Sequence, residues 1–396
     1  MTSRTRVRLA ADGHRVTTFE LFFDLVFVFA ITQIAGSVAH EHSAVGVLRG
    51  AVLLGLLWWA WSSYAWLGNQ AHADVGVIRL GMVVAMTAIF VVALTIPEAW
   101  HDAPGGLDGP IVLACAYIII RLVHEALYAV AAEGDVGLRH QLVLNLLPLA
   151  VGGTLLLVGA AAGDGAQTGI WALALGLDWL ITYVTSMRGG GWRIHSVEHW
   201  VERHGLVVIL ALGESIVAIG VGAAESPVSW PLIGGAVLGI LVATSLWWLY
   251  FDVSAAAAER ALHRRDPLAR VRAAIESYTY LHFWMIFGIV VTAVGVEEAL
   301  AHAAEGAALG AFAAGCLCLG PAIYLAGHVL SWIRLDRVVK VPRVVAAAAL
   351  VIAWPLASAL VPLAALLVVV GVLATLVTWE TVRYAEVRSD LAASRI

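Results

Sequence analysis

The sequence predicts an all-α protein, a polytopic transmembrane bundle of about twelve helices built as two six-helix parallel repeats with both termini cytoplasmic. Three observations lead there. Of 396 residues, 61% are hydrophobic and 13% charged, against about 25% charged in soluble domains, and the mean hydropathy is +0.89; an ordinary soluble protein is excluded. Apolar runs of about 18 to 25 residues recur from Thr17 to Thr381, each able to cross about 30 Å of hydrocarbon at about 1.5 Å per helical residue. Lysine and arginine collect in alternate connections, the pattern of cytoplasmic loops.

Taken in order, the runs are 17–40, 47–69, 76–99, 110–131, 140–161 and 169–187, then 204–224, 231–253, 276–299, 306–330, 342–360 and 362–382. Helix 1 is apolar but carries Glu20 and Asp24, helix 2 holds the pair Trp58-Trp59, and helix 3 ends at Pro97-Glu98. Helix 4 carries Arg121, His124 and Glu125, helix 5 Pro148, and helix 6 Asp178. Helix 7 carries Glu214 and Ser215, and helix 8 ends in Trp247-Trp248-Leu249-Tyr250-Phe251-Asp252. Helix 9 holds Glu276 and His282, helix 10 His328, helix 11 Pro355, and helix 12 closes before Arg383.

The odd-to-even connections hold Glu41, Glu98, Asp102, Asp108, Asp164, Glu225, Glu297, Glu298 and Glu305, with Arg49 as the one basic residue entering helix 2. The even-to-odd connections hold Arg139, Arg188, Arg193, Arg203, Arg260, Arg264, Arg265, Arg270, Arg272, Arg334, Arg337, Lys340 and Arg343, and Arg383, Arg388 and Arg395 follow the last helix. That asymmetry places both termini in the cytoplasm. The expected organisation is a basic cytoplasmic N-terminus (1–16), a first six-helix half (17–187), a cytoplasmic amphipathic linker (188–203), a second half (204–382) and a cytoplasmic tail (383–396). The basic start, with Arg4, Arg6, Arg8 and Arg15, leads into a run interrupted by acids, unlike a cleavable signal peptide. The net charge of −5 says little about a chain that sorts charge by side, and Cys115, Cys316 and Cys318 lie in apolar runs as small core residues.

An internal duplication is suggested by a repeated order. Asp24, Trp58-Trp59 and Pro97-Glu98-Ala99 are answered by Glu214, Trp247-Trp248 and Glu297-Glu298-Ala299, at offsets of 190 for the acids and 189 for the tryptophans.

Ionisable groups inside a span each cost about 2.5–3.5 kcal/mol unless paired or wetted, so they mark function by default. Glu20, Asp24 and Thr32 share one helical face, a stripe read as a cation or proton entry. Glu214, beside Ser215 and deep in apolar sequence, is the expected protonatable or ion-binding group. His199, Glu202 and Arg203 form an interfacial gate cluster, with His195 one turn earlier. Arg121 is expected to meet Asp178, and His124, Asp252, His282 and His328 complete the intramembrane polar set.

Enzyme and metal templates are weak. There is no HExxH, no GxxxxGK[ST], and Gly213-Glu214-Ser215 lacks the final glycine of GxSxG. Neither the His195/His199 spacing nor His40-Glu41-His42 exceeds what a solvated surface produces. No catalytic residue, metal or cofactor is expected. The expected partners are the lipid bilayer and a proton or monovalent cation, not nucleic acid.

The stretch Glu20-Leu21-Phe22-Phe23-Asp24-Leu25-Val26-Phe27-Val28-Phe29-Ala30-Ile31-Thr32-Gln33 resembles the low temperature requirement protein A (LtrA) family of bacterial membrane proteins. So do His199 with Glu202-Arg203 and Gly205-Leu206, Leu212-Gly213-Glu214-Ser215, and Trp247-Trp248-Leu249-Tyr250-Phe251-Asp252. His204 departs from the Phe that the family pattern would place there. The resemblance implies an inner-membrane protein linked to growth at low temperature, with no assigned molecular activity. A looser likeness, confined to Phe23-Asp24 and the residues through Thr32, is to the first helix of potassium channels built on six-helix repeats; Phe stands here where those have Ser. The functional expectation is a transporter or ion-translocating protein. Two alternatives stay open, a membrane stress sensor or scaffold that moves nothing, and a membrane-embedded enzyme with Ser215 as its only candidate nucleophile.

Overall fold

The computed structural model describes residues 9–10, 13–132, 134–189, 191–224 and 227–393. Arg4, Arg6, Arg8, Glu225, Arg395 and the side chain of Asp164 lie outside the described residues. Among the described residues, twelve helices are long and apolar enough to cross a membrane: α1 Thr18–Glu41, α2 Ala44–Gln70, α3 Gly76–Glu98, α4 Gly109–Ala131, α5 Val136–Ala162, α6 Gly165–Arg188, α7 Val197–Ala223, α8 Trp230–His263, α9 Pro267–Ala301, α10 Ala311–Asp336, α11 Val341–Ala359 and α12 Pro362–Arg383. A short α13, Ala385–Ala393, follows. Among the described residues the only β-type pairing is an isolated bridge between Leu9 and Ala71.

Local chemistry moves several boundaries away from those expected. α5 begins at Val136 because Asp135 accepts the Leu138 amide at 3.0 Å, an N-cap that hydropathy cannot register. α7 begins at Val197, so the last residues of the expected amphipathic linker are helical and continuous with the span. α8 runs on after a break at Asp252–Val253 as the amphipathic Ser254–His263. α9 starts at Pro267 and widens between Ala274 and Leu281 into an eight-residue π-helical segment before resuming at His282. Such segments are rare and concentrate at functional sites.

The chain packs as two compact units. The first comprises the chain up to Ser37, Leu48–Arg203 and Asp266–Arg272; the second comprises Val38–Val47, His204–Arg265 and the chain from Ala273. In the first unit, Tyr64 on α2 donates to the Ile120 carbonyl of α4 at 3.0 Å, and Trp171 on α6 donates to the Leu156 carbonyl of α5 at 2.9 Å. In the second, α9 is the buried centre, with 83% of its apolar stretch buried against 22% for α11. α9 and α10 approach backbone to backbone: a Cβ on Gly295 would stand 2.3 Å from the Leu317 amide nitrogen. Small residues at helix crossings are how membrane helices gain contact where the surrounding lipid is as apolar as their own side chains. The outward faces carry Leu80, Val143, Ile352 and Val382, all well exposed, as a lipid-facing surface requires.

Candidate functional site

Within the first unit two helix beginnings are built alike. Thr17, just before α1, accepts the Glu20 amide on its hydroxyl at 3.3 Å, and Glu20 returns the bond by accepting the Thr17 amide at 2.9 Å. This reciprocal pair is a capping box. Ser196, just before α7, accepts the His199 amide at 3.1 Å. Glu20 and His199 thus stand three residues past their caps. His199 Nε2 and Glu20 Oε1 are 2.8 Å apart, and one turn further along Arg203 Nη1 donates to Asp24 Oδ2 at 2.7 Å.

The ionisable groups are sealed. Glu20 is 1% exposed, and Asp24, His199 and Arg203 are fully buried. Trp61 on α2 donates its indole N–H to Asp24 Oδ1 at 3.0 Å and presents its ring 5.4 Å from the Arg203 guanidinium carbon, which gives the cation a π face as well as a carboxylate. Arg203 also reaches the Glu20 carbonyl at 3.2 Å. Its Nε and Nη2 donors have no hydrogen-bond partner among the described residues. Gly68 on α2 makes room for the arrangement, since a Cβ there would lie 2.4 Å from Glu20 Oε1.

Hydrogen bonding orients the His199 ring. Asn69 Nδ2 donates to the Ser196 carbonyl at 2.6 Å and lies 3.3 Å from His199 Nδ1, while Asn69 Oδ1 accepts the His195 amide at 2.8 Å. The Asn69 amide thus flanks Nδ1, and Nε2 is the ring nitrogen that faces Glu20. Two carboxyl groups, Glu20 and Asp24, and one guanidinium, Arg203, thus meet in a fully buried cluster with the His199 ring.

A further histidine joins from outside the spans. Ser196 donates to the His14 carbonyl at 2.9 Å and Glu202 accepts the Val16 amide at 3.2 Å, holding the N-terminal segment on the start of α7. The His14 ring stacks on His199 with centroids 4.9 Å apart and meets the edge of His72 at 4.2 Å. Burial, and then the neighbouring His199 and His72, lower the His14 pKa to about 4.

The interfacial gate expected at His199, Glu202 and Arg203 is therefore divided. Glu202 is partly exposed at 36%, while His199 and Arg203 are withdrawn from solvent by their bonds to α1 and α2. His195 does not share a ligand direction with His199; its Nε2 is 2.8 Å from Gln70 Oε1. Sequence reading missed His14, Asn69, Trp61 and Gly68. The T-x-x-E pattern at Thr17–Glu20 is a signal that could have placed the cap, but nothing local announces His14.

The other predicted groups fall into separate clusters. In the first unit Arg121 Nη1 meets Asp178 Oδ2 at 2.6 Å, joining α4 to α6 as expected, and His124 lies 3.6 Å from Glu125. In the second unit Glu214 and Ser215 are both buried, and the Ser215 hydroxyl has no hydrogen-bond partner among the described residues. Asp252 pairs with Arg388 through both carboxylate oxygens, at 2.8 and 2.5 Å. His282 meets the Tyr250 hydroxyl at 2.9 Å and stacks on Tyr278, while His328 sits edge-on to Tyr324. Tyr250, Tyr278, His282 and His328 border a cavity of about 20 Å³, enough for one water molecule. Arg343, expected in a cytoplasmic connection, is instead buried and bonded twice to Glu380, at 2.8 Å each.

The model of the bacterial low temperature requirement A protein (LtrA) family matches residues 15–378. The chain belongs to this family. The match spans both units and every residue of the Glu20, Asp24, His199, Arg203 cluster. An LtrA-family chain of this composition, with twelve such helices, is a multi-pass integral membrane protein. It is 30% identical over 331 residues to an uncharacterized protein of Rhizobium meliloti, covering 80% of this chain and 76% of that one. No solved structure matches it.

Proposed function

We propose that this LtrA-family protein translocates a proton or a monovalent cation across the bacterial inner membrane, and that the buried cluster on α1 and α7 is the site at which the ion is held. The observation that carries the reading is the charge count. Two carboxyl groups, Glu20 and Asp24, share one guanidinium, Arg203, in a place where an uncompensated charge costs several kcal/mol. A proton or a cation removes that cost on binding and restores it on leaving, so the occupied and vacant states differ enough in energy to be coupled to helix movement. Glu214 and Ser215, buried on α7, supply a second stopping point in this reading. The positive-inside pattern supports cytoplasmic termini, with the cluster at the cytoplasmic ends of α1 and α7. The low-temperature requirement in the family's name then describes a growth condition in which this flux matters.

One observation favours the scaffold reading instead: Glu20 closes a capping box and so has a structural task of its own. The two readings part in a flux experiment on purified protein in liposomes, following internal pH and potassium-driven membrane potential. Translocation predicts flux in the wild type and its loss in Glu20→Gln, which preserves the capping box, and in Glu214→Gln. A scaffold predicts no flux in any of them and altered thermal midpoints only.

A further inference from the structure

We infer that His14, Glu20 and His199 form a binding site for one divalent transition metal ion of the zinc class. Ligand atoms of the three side chains lie within 4.8 Å of one another, and two imidazoles with one carboxylate, leaving a fourth position open, make a donor set that such ions favour over magnesium or calcium.

Several features of the site point to a ligand. His14 Nε2 is buried yet has no hydrogen-bond partner among the described residues, an expensive condition for a ring nitrogen unless something occupies its lone pair. The His14 backbone is anchored by Ser196, so the ring is presented to Glu20 and His199 by a fixed segment. The two carboxyl groups of the cluster, set against one guanidinium, favour a cation at this spot. Asn69 is the outer partner beside His199 Nδ1, 3.3 Å away, which leaves Nε2 as the ring nitrogen turned to the shared site. Outer partners that orient a ligating histidine in this way change metal affinity by about 10- to 100-fold.

The site does not require that an ion crosses the membrane, and its test needs no flux. The full-length protein, purified in detergent and stripped with a chelator, is titrated with Co²⁺, reading the visible ligand-field bands of four-coordinate cobalt and their loss on adding Zn²⁺. The expected result is one equivalent bound by the wild type, an affinity reduced by more than about tenfold in His14→Ala, and unchanged binding in His195→Ala, whose ring faces Gln70. His14 lies outside the spans and anchors through its backbone, so His14→Ala keeps the wild-type thermal midpoint without metal. Absence of bound cobalt in the wild type, or equal affinity in His14→Ala, overturns the assignment. Either result leaves the flux experiment to be decided separately.

Discussion

Arg203 is the residue on which the first unit's charge arrangement turns. It is the one permanent cation among Glu20, Asp24 and His199, all sealed from solvent, so its removal leaves two buried carboxylates facing each other. Arg203→Gln should destabilise the protein by about 3–5 kcal/mol, measured as a lowered unfolding midpoint in detergent. Glu20→Gln should cost much less, because Asp24 and Arg203 then balance and the cap survives; an equal loss in both variants would refute the charge count. A second residue-scale prediction concerns His42, whose Nε2 stands 2.9 Å from Glu298 Oε1 within the second unit. The bond to Glu298 raises the His42 pKa above its usual value. The stabilisation is therefore complete below about pH 6.5 and fades as pH rises through the folded value. Thermal midpoints of wild type and His42→Ala should differ in mild acid and converge in alkali, and a difference that grows with pH contradicts the assignment. The sequence made Glu20, Asp24 and the Arg121–Asp178 pair legible, because a charge within an apolar run is conspicuous. It concealed His14 and Asn69, whose roles depend on which distant segment lies beside them, and it misplaced Arg343, which reads as a loop residue until Glu380 is brought against it.

At the scale of the element, the twelve spans were legible in hydropathy because lipid imposes a minimum length on each. Their ends were not, since these are decided by caps such as Thr17, Ser196 and Asp135. The displaced start of α7 matters most. Asp24 is the seventh residue of α1, whereas Glu214 is the eighteenth of α7, so the register that aligns these two acids does not align the helix beginnings. The register of the beginnings pairs Glu20 with His199 and Asp24 with Arg203, each separated by 179 residues, and sets acid against base. The π-helical stretch Ala274–Leu281 has no sequence signature at all; it places Tyr278 beside His282 and brings Ser277 to Ser331 on α10. Close packing between α9 and α10 yields a direct prediction. Gly295→Ala introduces a Cβ where only 2.3 Å separates it from the Leu317 amide, and should cost about 1–3 kcal/mol. Gly371→Ala, with open space around it, should leave the midpoint unchanged. Equal midpoints for the two would show that the crossing is looser than described.

For the whole molecule, the polar groups divide into an acidic and basic cluster in the first unit and a chain of tyrosines, histidines and the Arg343–Glu380 pair in the second. Composition and charge sorting established the membrane class and suggested its orientation, because both follow from desolvation and loop charge alone. Activity is less legible, because buried charges can bind an ion or hold helices together with the same residues. The most direct test of translocation is charge displacement, recorded as transient current from proteoliposomes on a solid support after a jump in pH or in potassium. Translocation predicts a transient current in the wild type that disappears in Glu20→Gln while that variant remains folded, its midpoint lowered far less than in Arg203→Gln. Equal currents in both proteins, or no current in folded wild type under either jump, would contradict it.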